Sequence, residues 1–274
     1  MTTKAQDALL ADKSVVFVGG GNMAGALLDG LLQAQSGAKL GVIDKHADKL
    51  ALFAKQGVAT ALPEEAEALL AKADVVVLAV KPQVLAEVCA SIFQHLTDKL
   101  IISVAAGISL AQLQTMTGTD NIVRVMPNLP ATVGYGASGM FADSAVSDEN
   151  KTLADSIMCA SGMTVWVADE AQLHTVTAVA GSAPAYFFYM LEAMIDKATA
   201  MGLDGEAAKA LAAQTMQGAA LMAKEHDPAS LRAKVTSKGG TTHAAITSLE
   251  HADFATMIAE AMTACATRSR ELGA

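Results

Sequence analysis

A chain of 274 residues that is 52% hydrophobic can bury a sizeable core and is long enough for two domains. Its formal net charge of −9 and pI near 5.1 argue against a nucleic-acid partner, because a phosphate-tracking surface needs clustered Lys and Arg to displace counterions. Cys89, Cys159 and Cys265 are far apart, odd in number and without a Cys-x-x-Cys pair; they read as buried thiols rather than a disulfide framework or a zinc site.

In chain order, the opening MTTKAQDALLADK carries Asp7 and Asp12 where an export signal would need an unbroken apolar run, so the expected location is the cytoplasm. SVVFVG (14–19) is a short β-branched apolar run, NMAGALLDGLLQA (22–34) has leucines at helical spacing, and KLGVID (39–44) is a second apolar run. Together they predict a βαβ unit. The alternation continues with strands at 74–80, 100–104, 121–126 and 164–168 and helix-like segments at 64–72, 83–95 and 147–161. Fully apolar strands spaced by helices imply a parallel sheet covered on both faces. Beyond about residue 168 the strand signals stop and an Ala- and Met-rich helical pattern takes over. The expected fold is α/β, with a Rossmann-like dinucleotide-binding domain over 1–167 and an all-α domain over 168–274. Segment 169–201 reads as one long helix kinked at Pro184. Its uncharged run from Thr175 to Leu191 is shorter than the ~20 residues of a membrane span, which favours a buried helix and no membrane partner. The fourteen methionines read as core and interface filler.

VGGGNMAGALL (18–28) stands at the first strand-to-helix turn. Gly19-x-Gly21-x-x-Ala24 lets the backbone approach a pyrophosphate, and the helix start at Asn22, Met23 and Ala24 supplies N–H donors and positive potential. Asp44 ends the second strand 20 residues after Ala24, where an acidic side chain bonds the ribose hydroxyls of NAD. Lys45 and His46 follow, and a cation there can hold the 2′-phosphate of NADP instead. AVKP (79–82) and VAAG (104–107) place Lys81, Ala105 and Gly107 beyond the carboxyl ends of later strands, the side on which open α/β sheets bind ligands. RVMPNLP (124–130) fixes the backbone around Asn128, whose amide is expected to reach the nicotinamide or the substrate.

In the helical half, TSKGGTTHAAITSLE (236–250) sets two glycines and two threonines before a helix. Such a turn presents backbone N–H groups at a positive helix end and can receive a carboxylate without a formal charge. A simpler reading makes Thr241 or Thr242 a helix cap. His243 and His251 read as solvated helix histidines, and no metal is expected.

GGGNMA, AVKP, RVMPN, TAVAGSAPAYFF (177–188) and VTSKGGTTHAAI (235–246), in that order, resemble the motifs of the pyrroline-5-carboxylate reductase family over residues 14–265. Ala183, where the family commonly has Gly, and Lys238, where it usually has Pro, depart from the pattern. The resemblance implies NADPH or NADH as cofactor and 1-pyrroline-5-carboxylate as substrate. It also implies a homodimer held by the helical domain, with larger rings up to a decamer. Within that likeness Ser237, Gly240, Thr241 and Thr242 grip the substrate carboxylate, and the Thr242 hydroxyl faces the imine nitrogen as the catalytic group. Two other readings compete. A β-hydroxyacid-type dehydrogenase would need a lysine on the first helix of the second domain, and 171–191 has none. A nonenzymatic NAD(P)-sensing module would leave the Gly-Gly-Thr-Thr turn without purpose.

Overall fold

The computed structural model describes residues 9–273; Asp7 and most of the opening stretch read for an export signal lie outside them. The described chain forms two compact units. The first runs up to Ser182 and takes in the chain end from Cys265; the second is Ala183–Ala264.

The first unit is built on one eight-stranded sheet in the order β3-β2-β1-β4-β5-β6-β7-β8. These are β1 (Ser14–Val18), β2 (Lys39–Ile43), β3 (Ala59–Ala61), β4 (Val75–Leu78), β5 (Leu100–Ser103), β6 (Ile122–Met126), β7 (Gly136–Phe141) and β8 (Gly162–Trp166). The first six follow the doubly wound dinucleotide-binding order. Helices α1 (Asn22–Gln33), α2 (Ala47–Lys55), α3 (Glu67–Lys72), α4 (Pro82–Ile92), α5 (Leu110–Thr117) and α6 (Asp148–Cys159) connect them. Period-2 alternation sends neighbouring residues into two cores: Val15 and Phe17 pack in one with Leu27, Leu28 and Leu31 of α1, Val16 and Val18 in the other with Leu85 and Cys89 of α4. The leucines of α1 fall at helical spacing, which is why that stretch coils around its buried stripe.

Four expectations need correction. The sheet is not wholly parallel, because β7 runs antiparallel to β6. Neither β3, only three residues long, nor β7, whose GASGMF sequence carries two glycines, shows the β-branched run that marked the other strands. The break in the 169–201 helix lies ahead of Pro184: α7 (Gln172–Val176) loosens into a π turn over Thr177–Gly181, and α8 (Ala183–Ala200) then carries Pro184 in its first turn, where a missing N–H costs nothing. The helical path Gln172–Ala200 is 29 residues, long and apolar enough to cross a membrane by length and composition, and it is mostly exposed in the single chain rather than buried. Of the cysteines, only Cys89 is fully buried; Cys159 and Cys265 are partly exposed.

The second unit contains α8, α9 (Gly205–Glu225), α10 (Pro228–Val235), α11 (Thr241–His251) and the first half of α12 (Phe254–Gly273). Between Ala183 and Ala264 only Ala183, Pro184, Ala208 and Ala212 are buried. Phe187, Phe188, Tyr189, Met194, Leu211, Met222 and Met257 are exposed. A helical unit of 82 residues, Ala183–Ala264, with so little interior leaves a large apolar surface uncovered in the single chain.

Candidate active site

The parallel register gathers the predicted cofactor residues on one edge. Val18 pairs with Ile43 on one side and Leu78 on the other; Leu78 pairs with Ser103, and Ser103 with Arg124. The segments that follow these residues are therefore neighbours: Gly19, Asp44, Ala79–Lys81, Ala105–Gly107 and Pro127–Asn128. The strand order reverses between β1 and β4, so the glycine turn stands at the topological switch point.

Gly19 has φ +102°, and a side chain there would meet the Ala79 carbonyl at 2.8 Å, so this position admits glycine alone. A Cβ on Gly21 would meet nothing within 4 Å. Gly21 starts α1 with no side chain capping it, so the N–H groups of Asn22, Met23 and Ala24, which have no carbonyl one turn earlier, border that open space. A shallow glycine cradle rimmed by backbone donors fits a pyrophosphate.

Asp44 behaves differently from the expectation of a free ribose acceptor. Its Oδ2 accepts from the Gly20 N–H at 2.7 Å, and its Oδ1 accepts from the His46 N–H at 2.9 Å and lies 2.7 Å from His46 Nδ1. Burial works against its charge, but those hydrogen bonds and the Lys49 ammonium outweigh it and hold the carboxyl below its usual value. Lys45 and Lys81 are exposed, with no ion pair among the described residues. Ala105 is buried. Gly107, at φ +79°, packs against the chain's own end, since a Cβ on it would touch Leu272 at 3.3 Å.

Asn128 corrects the expectation of an amide free to reach a ligand. It is buried, its Nδ2 donates to the Ala180 carbonyl at 3.1 Å, and its Oδ1 accepts from the Ala137 N–H at 2.9 Å. The side chain holds the turn after β6 to β7 and to the π turn, and its effect on any ligand passes through the backbone it fixes.

Sequence reasoning missed a polar cluster behind this edge. Arg124, buried in β6, forms a close ion pair with Glu170, and the same Glu170 oxygen accepts from the Leu110 N–H at the start of α5 at 2.6 Å. His174 on α7 places Nδ1 2.9 Å from the Ser269 hydroxyl of the chain end. Burial lowers the His174 pKa, the charges of Arg270 and Arg124 lower it further, and Glu170 opposes them. A signal existed: a single arginine in the apolar run NIVRVM must find a counter-charge when its strand is buried.

In the second unit the Gly-Gly-Thr-Thr turn opens α11. Gly240, not a threonine, is the helix cap, and no side chain caps it. The capping reading of Thr241 and Thr242 is thereby set aside, and both residues stand in the first turn, where their N–H groups and that of His243 lack helical partners. Gly239 has φ +77°, whereas Gly240 has φ −79°. The Gly240 N–H donates to the Ser237 carbonyl at 3.0 Å, which closes the turn from Ser237 to Gly240 directly ahead of Thr241 and Thr242. Lys238, His243 and His251 are exposed.

Two family models match: that of pyrroline-5-carboxylate reductase dimerisation over residues 170–272, and that of NADP oxidoreductase, coenzyme F420-dependent, over residues 14–107. The pyrroline-5-carboxylate reductase of Haemophilus influenzae is 46% identical, covering 95% of this chain and 97% of that protein. A solved pyrroline-5-carboxylate reductase from Coxiella burnetii superposes with TM-score 0.88 at 40% identity over 95% of this chain and 98% of its own. The Plasmodium falciparum pyrroline carboxylate reductase, solved with NADP bound, gives 0.85 at 29% identity over 97% of this chain and all of its own. A doubly wound sheet with an open glycine cradle at its switch point, followed by a dimerisation-type helical segment, defines a two-domain NAD(P)-dependent oxidoreductase. Within that class, the chain belongs to the pyrroline-5-carboxylate reductase family.

Proposed function

We propose that the protein reduces 1-pyrroline-5-carboxylate to L-proline with NADPH or NADH, the last step of proline biosynthesis. The observation that carries this reading is the near full-length likeness to the Haemophilus influenzae reductase. The reaction adds a hydride to the imine carbon and a proton to the imine nitrogen, turning C=N into CH–NH. The reduced nicotinamide, when bound, supplies the hydride. Gly19, Gly21, Asn22, Met23 and Ala24 hold the pyrophosphate by their backbone, Asp44 and Lys45 stand at the ribose end, and Lys81, Ala105, Gly107 and Asn128 frame the strand ends beside them.

Ser237, Gly240, Thr241 and Thr242 take the substrate carboxylate, using the uncharged N–H groups of the α11 start. The Thr242 hydroxyl holds the imine nitrogen and helps deliver its proton. A cyclic imine is basic enough to be partly protonated beforehand, so a hydroxyl suffices where a stronger acid is absent. The same reading makes the protein a cytoplasmic homodimer joined through its helical segment, able to build further into a ring of up to ten chains, with neither nucleic acid nor membrane as partner. Incubation with pyrroline-5-carboxylate and each reduced cofactor tests it: proline must form one for one with cofactor oxidised. NADPH is expected to be the better cofactor. Oxidation without proline, or none at all, refutes the assignment.

A further inference from the structure

The ribose end of the cradle holds an arrangement that the cofactor reading above does not use. Gly20, between Gly19 and Gly21, is buried, and its N–H is bound to Asp44 Oδ2. A Cβ on Gly20 would stand 3.0 Å from the Phe53 ring and 3.4 Å from that same oxygen, so the turn is seated on Asp44 and Phe53 together. Asp44's other oxygen is covered by the His46 backbone N–H and imidazole. The Asp44 side chain is 10% exposed and that of His46 48%. Both carboxylate oxygens thus serve the protein, and the groups presented outward beyond β2 are the His46 imidazole, held on Asp44, and the Lys45 side chain.

We infer that His46 sets the acceptance of a 2′-phosphate, and that Asp44 is a positioning residue for the glycine turn rather than the selector of NAD over NADP. This rests on the cofactor reading of the cradle. An aspartate at the end of β2 selects NAD when its oxygens face the ribose hydroxyls and its charge repels a phosphate. Here Asp44 Oδ1 is met at contact distance by the His46 imidazole, so the carboxylate is turned into the protein, and with Nδ1 on Asp44 the ring's other nitrogen, Nε2, is the polar atom left for an outward contact. The other charged groups of this corner are Lys45, Asp48 and Lys49 of the same segment, Lys49 acting on Asp44; Gly20 and Phe53, which pack on Asp44 from the turn and from α2, carry no charge. Lys45 is exposed, has no ion pair among the described residues and adds general attraction without fixed geometry.

The test is equilibrium binding of NADP⁺ and NAD⁺, without substrate, to the full-length protein and two variants, by calorimetric titration. His46→Gln is expected to weaken NADP⁺ about tenfold and NAD⁺ less than twofold, a single charge-assisted contact. Asp44→Asn is expected to weaken both in the same proportion, since one amide oxygen cannot serve the Gly20 and His46 N–H groups together and the turn is held less firmly. Slower hydrogen exchange at the Gly20 amide in the parent than in Asp44→Asn supports the anchoring role independently. An unchanged NADP⁺ to NAD⁺ ratio in His46→Gln overturns the role of His46, and a selective gain of NADP⁺ affinity in Asp44→Asn overturns that of Asp44. If the parent protein binds neither dinucleotide, the cofactor reading itself has failed, a result separate from either.

Discussion

Thr242 sits in the second position of α11, its hydroxyl unneeded for capping because Gly240 takes the cap position. If that hydroxyl serves the imine nitrogen only as the proton arrives, Thr242→Ala lowers kcat about 10–100-fold, at and below the low end of what general-acid help supplies because the imine is partly protonated beforehand, and leaves substrate KM nearly constant. Steady-state kinetics decide it; a rise in KM at constant kcat assigns Thr242 to ground-state binding instead. Gly240→Val acts on the cradle. The reason is contact rather than backbone strain, since a Cβ on Gly240 would stand 2.7 Å from the Ser237 hydroxyl, while the left-handed φ belongs to Gly239. Substrate KM rises steeply, and cofactor dissociation constants measured in the same preparation stay as they were. Loss of both affinities would place the damage in the fold. The sequence made this turn legible because a Gly-Gly-Thr-Thr run before a helix is rare. It left unread which glycine carries the strain, because two adjacent glycines look alike until a chain path separates them.

At the scale of elements, the inner strands that sequence reading found are buried on both faces, which leaves an unbroken apolar run, while β8 was found from its TVW run although Met163, Val165 and Trp166 are exposed at the sheet edge. The short β3 and the glycine-bearing β7 left no such mark. The helix break was placed at Pro184 for want of any sign that a π turn precedes it, and a proline in a first turn is no disruption. The Arg124–Glu170 pair and His174 lay hidden for another reason: residues 46 and 95 positions apart meet only once β6, α7 and the chain end are packed. His174 makes this packing sensitive to acid. Its folded pKa is depressed below the ordinary value of 6.5, so the unfolded chain takes up the proton first. Stability contributed here is complete above that value, falls as pH drops through the window below it, and stops falling once the folded form is protonated too. Urea midpoints measured near pH 7.5 and near pH 5.5 should therefore lie closer together in His174→Asn than in the parent. An equal or wider gap in the variant contradicts the role given to burial at this residue.

For the whole molecule, the helical segment decides the assembly. Its four buried residues contrast with exposed Phe187, Phe188, Tyr189, Met194, Leu211 and Met222, each of which, already partly covered, has about 1 kcal/mol left to gain from leaving water. A second copy supplies that cover, and the methionines and small residues let two helical faces fit closely. Folding and association should therefore be linked: denaturation midpoints rise with protein concentration, and sedimentation at micromolar concentration shows no active monomer. A stable, active monomer would separate the two.

In a pyrroline-5-carboxylate reductase, the hydride that leaves the nicotinamide must reappear on the former imine carbon of proline. The most direct measurement supplies pyrroline-5-carboxylate with NADPH dideuterated at the nicotinamide C4 and weighs the proline formed. Every product molecule is expected to be proline carrying one deuterium, on the carbon that had been the imine carbon. Proline without deuterium, or deuterated cofactor oxidised with no proline made, would contradict it.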